Sequence, residues 1–545
     1  MSKSTKDGDR ATDGQGLQRL LDGPDLARVA PRLAPEVLHR LIRRAGLEQC
    51  VDLVEAFSPR QLTAVLDLDL WSAPFPGADE ELDADRFAEW METLVGRDPA
   101  TAARVIARCD PSLVVTALSR FIRVHDPGVL EPTESTDDER PQDLLFAAEG
   151  LTAEVGGYIV QARREDAWDA IVSLLVELST GDAECLDALM DGCRRLSNAG
   201  REVDGLDDLL DAPEQSLHDV TLDRDDRREA RGFSTAADAR AFLSLARQGR
   251  SQTHVNPIAA AWTRRSHATT SEAAEEPSDR LSLLQGADAP ALPAALNPVE
   301  SDALEEVARV LIAEDLLPEA PHLLLGAGDA GGEGSEGLRA LMGYLRERHP
   351  EVLLARAQEL ALIANGLVAG CRLQSRSFTP RQASEAAAAT CSLGLLRQPA
   401  PPGVDYLVEH DLIGIFEDGW SALHREVLLF VGEGLLAALR GVQTGESETL
   451  AGLQELQQSL ETHLTAGTPW LAGDALEILA VLDTPAWSGL LGLLSECPII
   501  TDAVVAIVER RTARIDPSAF NFVATNADID VVRAFMARLP ELLAS

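Results

Sequence analysis

Apolar residues along this chain recur every three or four positions. The clearest stretch is 34–71, APEVLHRLIRRAGLEQCVDLVEAFSPRQLTAVLDLDLW. Val37, Leu38, Leu41 and Ile42 form one stripe; Leu47, Cys50, Val51, Val54 and Phe57 form a second; Leu62, Val65 and Leu66 a third. A period near 3.6 predicts three short amphipathic helices, each with one face that must leave water. Two starts share a device, Ala34-Pro35-Glu36 and Ser58-Pro59-Arg60. Proline is tolerated in a first helical turn, and Ser58 can accept a free amide N–H. Gly46 marks a helix end. Helices this short are marginal alone, so they must stack.

The same pattern runs on. Asp98-Pro99, Asp110-Pro111 and Thr379-Pro380 repeat the cap-then-proline start. Helical stripes are read at 168–178, 182–196, 350–370, 404–440 and 448–465, and a capped start at 233–238. Alternation long enough to call a sheet is not found. The expected fold is all-α, a short-helix superhelical array plus a C-terminal helical domain. The expected organisation is a polar tail at 1–16, an N-terminal array at 17–125, an acidic linker at 126–143 and a second helical region at 144–262. A low-complexity linker at 263–298 and a C-terminal helical domain at 299–545 complete it. Residues 223–231, DRDDRREAR, read as a solvated helix or loop.

Composition sharpens this reading. At 545 residues the chain exceeds a single core. Apolar residues make up 45% and aromatic ones only 4%, so cores of Leu, Val, Ile and Ala are expected. Acidic residues number 89 against 48 basic ones, a net charge of −41. Such a field opposes nucleic acid and anionic membrane surfaces. It fits a solvated acidic exterior, and leaves room for a cationic partner. Lysine stands only at Lys3 and Lys6, which suggests a GC-rich source. Seven scattered cysteines without a Cys-x-x-Cys suggest buried thiols in a reducing compartment. The polar N-terminus and the lack of an uninterrupted apolar run of 18 residues lead us to expect a soluble cytoplasmic protein without membrane insertion.

Candidate chemistry is sparse. Gly326 to Gly337 lacks the lysine and the preceding strand of a phosphate loop. The ten histidines have no metal-ligand spacing. No nucleophile elbow occurs. Five residues remain as possible binding positions: Asp67, Asp69, Trp71, Asn365 and Trp420. Asp67 and Asp69 could hold a hard cation or act as acid and base, but two residues apart they face different ways on a helix. The preferred reading is a helix end with solvated acids and Trp71 as a wedge. Asn365 puts an amide in an apolar helix, where it needs partners. Gly366 and Gly370 there would let a second helix come close. Trp420 reads as an anchor in a core or an interface.

Three stretches carry a resemblance: 35–71, residues 360–396 (LALIANGLVAGCRLQSRSFTPRQASEAAAATCSLGLL) and 412–427 (LIGIFEDGWSALHREV). Together they resemble an uncharacterised bacterial family known only as a domain of unknown function, over most of the chain. The resemblance implies no activity, cofactor or catalytic residue. The 34–71 unit alone also resembles the helical intracellular domain of magnesium transporters and the related flagellar motor-switch helices. The expected function is therefore a non-catalytic interaction or scaffold protein that binds a protein partner through helical grooves, with no cofactor. The alternatives are an enzyme whose site forms between the halves near Asn365 and Asp69, and a regulator that responds to a divalent cation.

Overall fold

The computed structural model describes residues 17–21, 23–75, 77–125, 150–198, 212–231, 233–249, 258, 305–307, 309–311, 336–373, 376–441, 447–471, 486–511, 516 and 519–543. The tail at 1–16, both linkers, and Leu476, Ile478, Leu479 and Val481 of the last stripe lie outside these residues, as does all but the end of the glycine-rich run at 326–337. The described chain is mostly helical, as its periodicity predicts, and it divides into two compact units.

The first unit comprises 1–72, 80–231 and 275–320. Its elements begin with α1 (Pro24–Val29), α2 (Pro35–Ala45), α3 (Val51–Glu55) and α4 (Pro59–Asp69). A short hairpin, β1 (Trp71–Ser72) and β2 (Glu81–Leu82), precedes α5 (Ala84–Arg97), α6 (Pro99–Ile106) and α7 (Pro111–Leu118). After β3 (Ile122–His125), β4 (Thr152–Val155) and β5 (Tyr158–Ala162) come α8 (Trp168–Gly181), α9 (Ala183–Asn198) and α10 (Ala212–Ala230). The three stripes read from 34–71 all turn into one apolar core, which also takes in Phe87, Trp90, Leu94, Leu118, Phe121, Ile171 and Leu175.

The caps work as the sequence predicts. Ser58 and Gln61 form a reciprocal capping box, and Gln61 Nε2 also donates to Ala30 O and Leu33 O at 2.8 Å each. Asp98 accepts the Thr101 N–H and Asp110 the Ser112 N–H.

One part differs from expectation. Strands β3, β5 and β4, in that order, form an antiparallel sheet: β3 ends the stretch read as the N-terminal helical array, and β4 and β5 stand where helix was expected to resume after 144. Gly156 and Gly157 make the hairpin turn, with φ of +59° and +86°. A two-residue loop needs that mirror-image geometry, and glycine adopts it without a Cβ clash. Each strand is only four or five residues long, too short for alternation to stand out.

The second unit comprises 73–79, 232–274 and 321–545. Its helices are α11 (Ala236–Ala246), α12 (Glu336–Arg348), α13 (Pro350–Gly370), α14 (Pro380–Leu396), α15 (Tyr406–Glu409) and α16 (Leu412–Leu423). A π turn, His424–Leu428, runs from α16 into α17 (Leu429–Leu439). Then come α18 (Ser447–Thr465), α19 (Ala486–Leu493), β6 (Ile499–Thr501), α20 (Asp502–Glu509), β7 (Phe520–Phe522) and α21 (Asn526–Leu543). Strands β6 and β7 pair antiparallel.

Helices α14 and α16 touch backbone to backbone. A Cβ on Gly394 would lie 1.9 Å from Ile415 O, and one on Gly419 would lie 1.9 Å from Thr390 O. The unit boundary also differs from the sequence reading. Phe242, Leu243 and Ala246 of α11 pack in the second core, whereas Val307 and Leu311 join the first. Apolar contact, not the low-complexity segment, decides which unit each piece joins.

Helix α13 is long and apolar enough to cross a membrane, with one-third of its most apolar window buried. It packs on α11 and α14, and two of its charged residues, Arg356 and Glu359, serve the fold. Glu359 accepts the Leu412 N–H at 2.7 Å at the start of α16 and pairs with Arg356, whose Nε donates to Leu407 O at 3.0 Å.

Candidate functional site

Asp67 and Asp69 end α4, and both are buried, at 2% and 6% exposure. They face different ways, as their spacing predicts, but they are not solvated. That part of the sequence reading is corrected: each carboxylate is covered by a helix that brings basic side chains.

Asp69 looks towards α2 and α5. Its Oδ2 accepts the Trp90 Nε1–H and the Arg86 Nε–H, each at 2.7 Å. Its Oδ1 lies 3.1 Å from His39 Nε2 and 3.7 Å from Arg43 Nη1. Burial alone would raise the Asp69 pKa; hydrogen bonds from His39, Trp90 and Arg86 outweigh it and hold the pKa at about 2.

Asp67 looks towards α10. Arg227 grips it with two bonds, Nε to Oδ2 at 2.9 Å and Nη2 to Oδ1 at 2.7 Å. Arg224 Nε donates to the Asp67 backbone carbonyl at 2.9 Å. The Arg224 guanidinium also pairs with Glu80 and lies 4.5 Å above the centre of the Trp71 ring. Arg228 meets Glu80 as well, and Arg231 meets Glu36. Two pulls act on Glu80: burial raises its pKa, and the charges of Arg228 and Arg224 override this and lower it. Trp71 is thus a platform beneath a guanidinium as well as a wedge.

The run DRDDRREAR is helical, one of the two readings, but its arginine side is not solvated. It makes up the end of α10 with Arg231 just past it, and Arg224 is only 2% exposed. The sequence reading missed these arginines, together with His39, Arg86 and Trp90. The available signal was the spacing of Arg224, Arg227, Arg228 and Arg231, which puts them on one side of a helix.

The other two sequence candidates lie in the second unit. Trp420 is an anchor inside that core: it stacks on Phe416 at 5.5 Å and donates its indole N–H to Leu243 O at 3.2 Å. Asn365 is half-buried on α13. Near it, a Cβ on Gly370 would lie 2.9 Å from Ala239 Cβ, so this glycine does admit the close approach of α11.

What the arrangement can do chemically follows from its donors. The carboxylate oxygens of Asp67 and Asp69 are taken up by guanidinium, indole and imidazole groups. Among the described residues, no group of three or more His, Cys, Asp or Glu side chains is placed to hold a metal ion. An apolar hollow beneath Trp90, lined by residues such as Leu66, Phe87 and Val105, holds about 10 Å³, roughly one water.

Residues 9–202 match the profile of a family described as a family of unknown function (DUF6178). This agrees, for that part of the chain, with the resemblance to an uncharacterised family. The likeness of 34–71 to the magnesium-transporter domain gains no support from the match. No curated protein and no solved structure matches the chain.

Proposed function

We propose that this chain is a non-catalytic interaction protein that binds a protein partner through the outer faces of its stacked helices. One observation carries the reading: the buried carboxylates at the end of α4 are spent on joining helices to one another. Asp69 ties α4 to α2 and α5, and Asp67 ties it to α10. A general base or a cation ligand keeps an oxygen available for its substrate or metal. Short helices stacked around one core offer extended outer surfaces, the geometry that repeat-like helical proteins use to bind partners. The net charge of −41 favours a partner with a basic face over a nucleic acid.

The test is cross-linking and affinity capture at native abundance, followed by reconstitution. The reading expects one protein that co-purifies at fixed stoichiometry and binds the purified chain directly. A chain that stays monomeric in native extract, and turns over a small molecule once purified, would contradict it.

A further inference from the structure

We infer that α10 is a strap held onto the first unit largely by charge, which detaches and unwinds as one unit while the helices beneath it stay folded. The inference goes beyond the proposed function and does not depend on a partner.

Helix α10, APEQSLHDVTLDRDDRREA, is mostly polar and charged. Val220 and Arg224 are its buried residues, Leu217 is partly buried against the core, and Leu222 is 50% exposed. Its neighbour α7 is the opposite, with every residue from Leu113 to Leu118 buried. A hydrogen bond of 2.8 Å joins Ser216 of α10 to Thr116 of α7. Four arginines supply the rest of the grip described above. Their acceptors are spread over α2 (Glu36), α4 (Asp67), the approach to β2 (Glu80) and the cap of α7, where Asp110 lies 3.8 Å from Arg227.

A charged grip and an apolar grip fail differently. Opening an apolar contact exposes surface that water disfavours. Opening these pairs lets both partners regain the hydration they gave up on closing, so the charged part of the grip sets little net free energy against the step. Salt screens the partly exposed pairs, Arg228–Glu80, Arg227–Asp110 and Arg231–Glu36, and weakens them further. The Asp69 set is independent of the strap, since its partners stand on α2 and α5. A lifted strap would uncover the carboxylates of Asp67 and Glu80, expose Trp71 and withdraw Val220 from the core, the small apolar share of the grip.

Hydrogen exchange on the full chain tests this, with α8 as the internal reference. Raising NaCl from about 50 mM to about 1 M, which shortens the screening length about fourfold, should speed α10 exchange by about tenfold or more and leave α8 unchanged. The double substitution Arg227→Gln with Arg228→Gln should do the same at low salt. If α10 keeps its low-salt rate under both changes, or speeds up only in step with α8, the strap does not exist. The salt arm uses the unaltered chain, so a variant that failed to fold would not remove the test.

Discussion

Asp69 accepts the Trp90 indole N–H at 2.7 Å, and the bond joins the last residue of α4 to the middle of α5. A carboxylate with 6% exposure survives there because its charge is answered on both oxygens.

Acid should release it. The Asp69 pKa is about 2 in the folded chain and 3.8 in its ordinary state. A depressed carboxylate contributes stability above its unfolded pKa and loses it as pH falls through the folded one. The difference in stability between the unaltered chain and Asp69→Asn should therefore be constant above about pH 4 and shrink between about pH 4 and 2. Denaturant titrations of both proteins across that range check this.

His424, in the second unit, should act at milder pH. It is buried in the π turn, and its Nε2 has no hydrogen-bond partner. Burial first, then the charges of Arg247 and Arg425, push its pKa down from 6.5 to about 4. The unfolded chain takes up the proton first, so stability falls as pH drops from about 6.5 to about 4. The second unit should lose melting temperature over that window, and His424→Phe should flatten the loss. A melting series in matched buffers reads it.

Steric contact sets a further pair of outcomes. Gly394→Ala or Gly419→Ala would drive a methyl into the facing backbone of α16 or α14, and each should cost about 3 kcal/mol or more. Gly343, within α12, has open space around it, so Gly343→Ala should be neutral or stabilise by about 0.5–1 kcal/mol. Chemical denaturation of the three variants separates packing from propensity.

Thiol reactivity should follow burial. Cys50, Cys109 and Cys193 are buried, and burial raises each pKa to about 12. Cys185 is half-buried and its pKa is raised for the same reason. Among these four, Cys185 should react first with a maleimide in native buffer, and the others only on unfolding. Peptide mass spectrometry gives the order.

Much of the fold was legible because it rests on local rules. The stripes of 34–71 predicted which side chains enter the core, and Ser58, Asp98, Asp110 and Thr379 predicted where helices start, because a cap acts within three residues of itself. The small sheet was not legible, although Gly156-Gly157 was a usable hairpin signal. The candidate site was half legible. Asp67, Asp69 and Trp71 are all buried, but the two carboxylates face different helices and their partners come from far along the chain, as Arg227 is 160 residues from Asp67. No periodicity encodes a contact at that distance. For the same reason, the long-range pairing of α11 with Trp420 moved the unit boundary away from the low-complexity segment.

The central claim is that the carboxylates of α4 are structural ties. A double-mutant cycle on Asp69 and Arg86, read by equilibrium unfolding with and without millimolar Mg²⁺ at matched ionic strength, tests it most directly. The account predicts that Asp69→Ala costs about 3–5 kcal/mol, that the two changes are strongly non-additive, and that Mg²⁺ adds no stability to the unaltered chain. A near-neutral Asp69→Ala, or stabilisation by Mg²⁺ that this substitution abolishes, would contradict it.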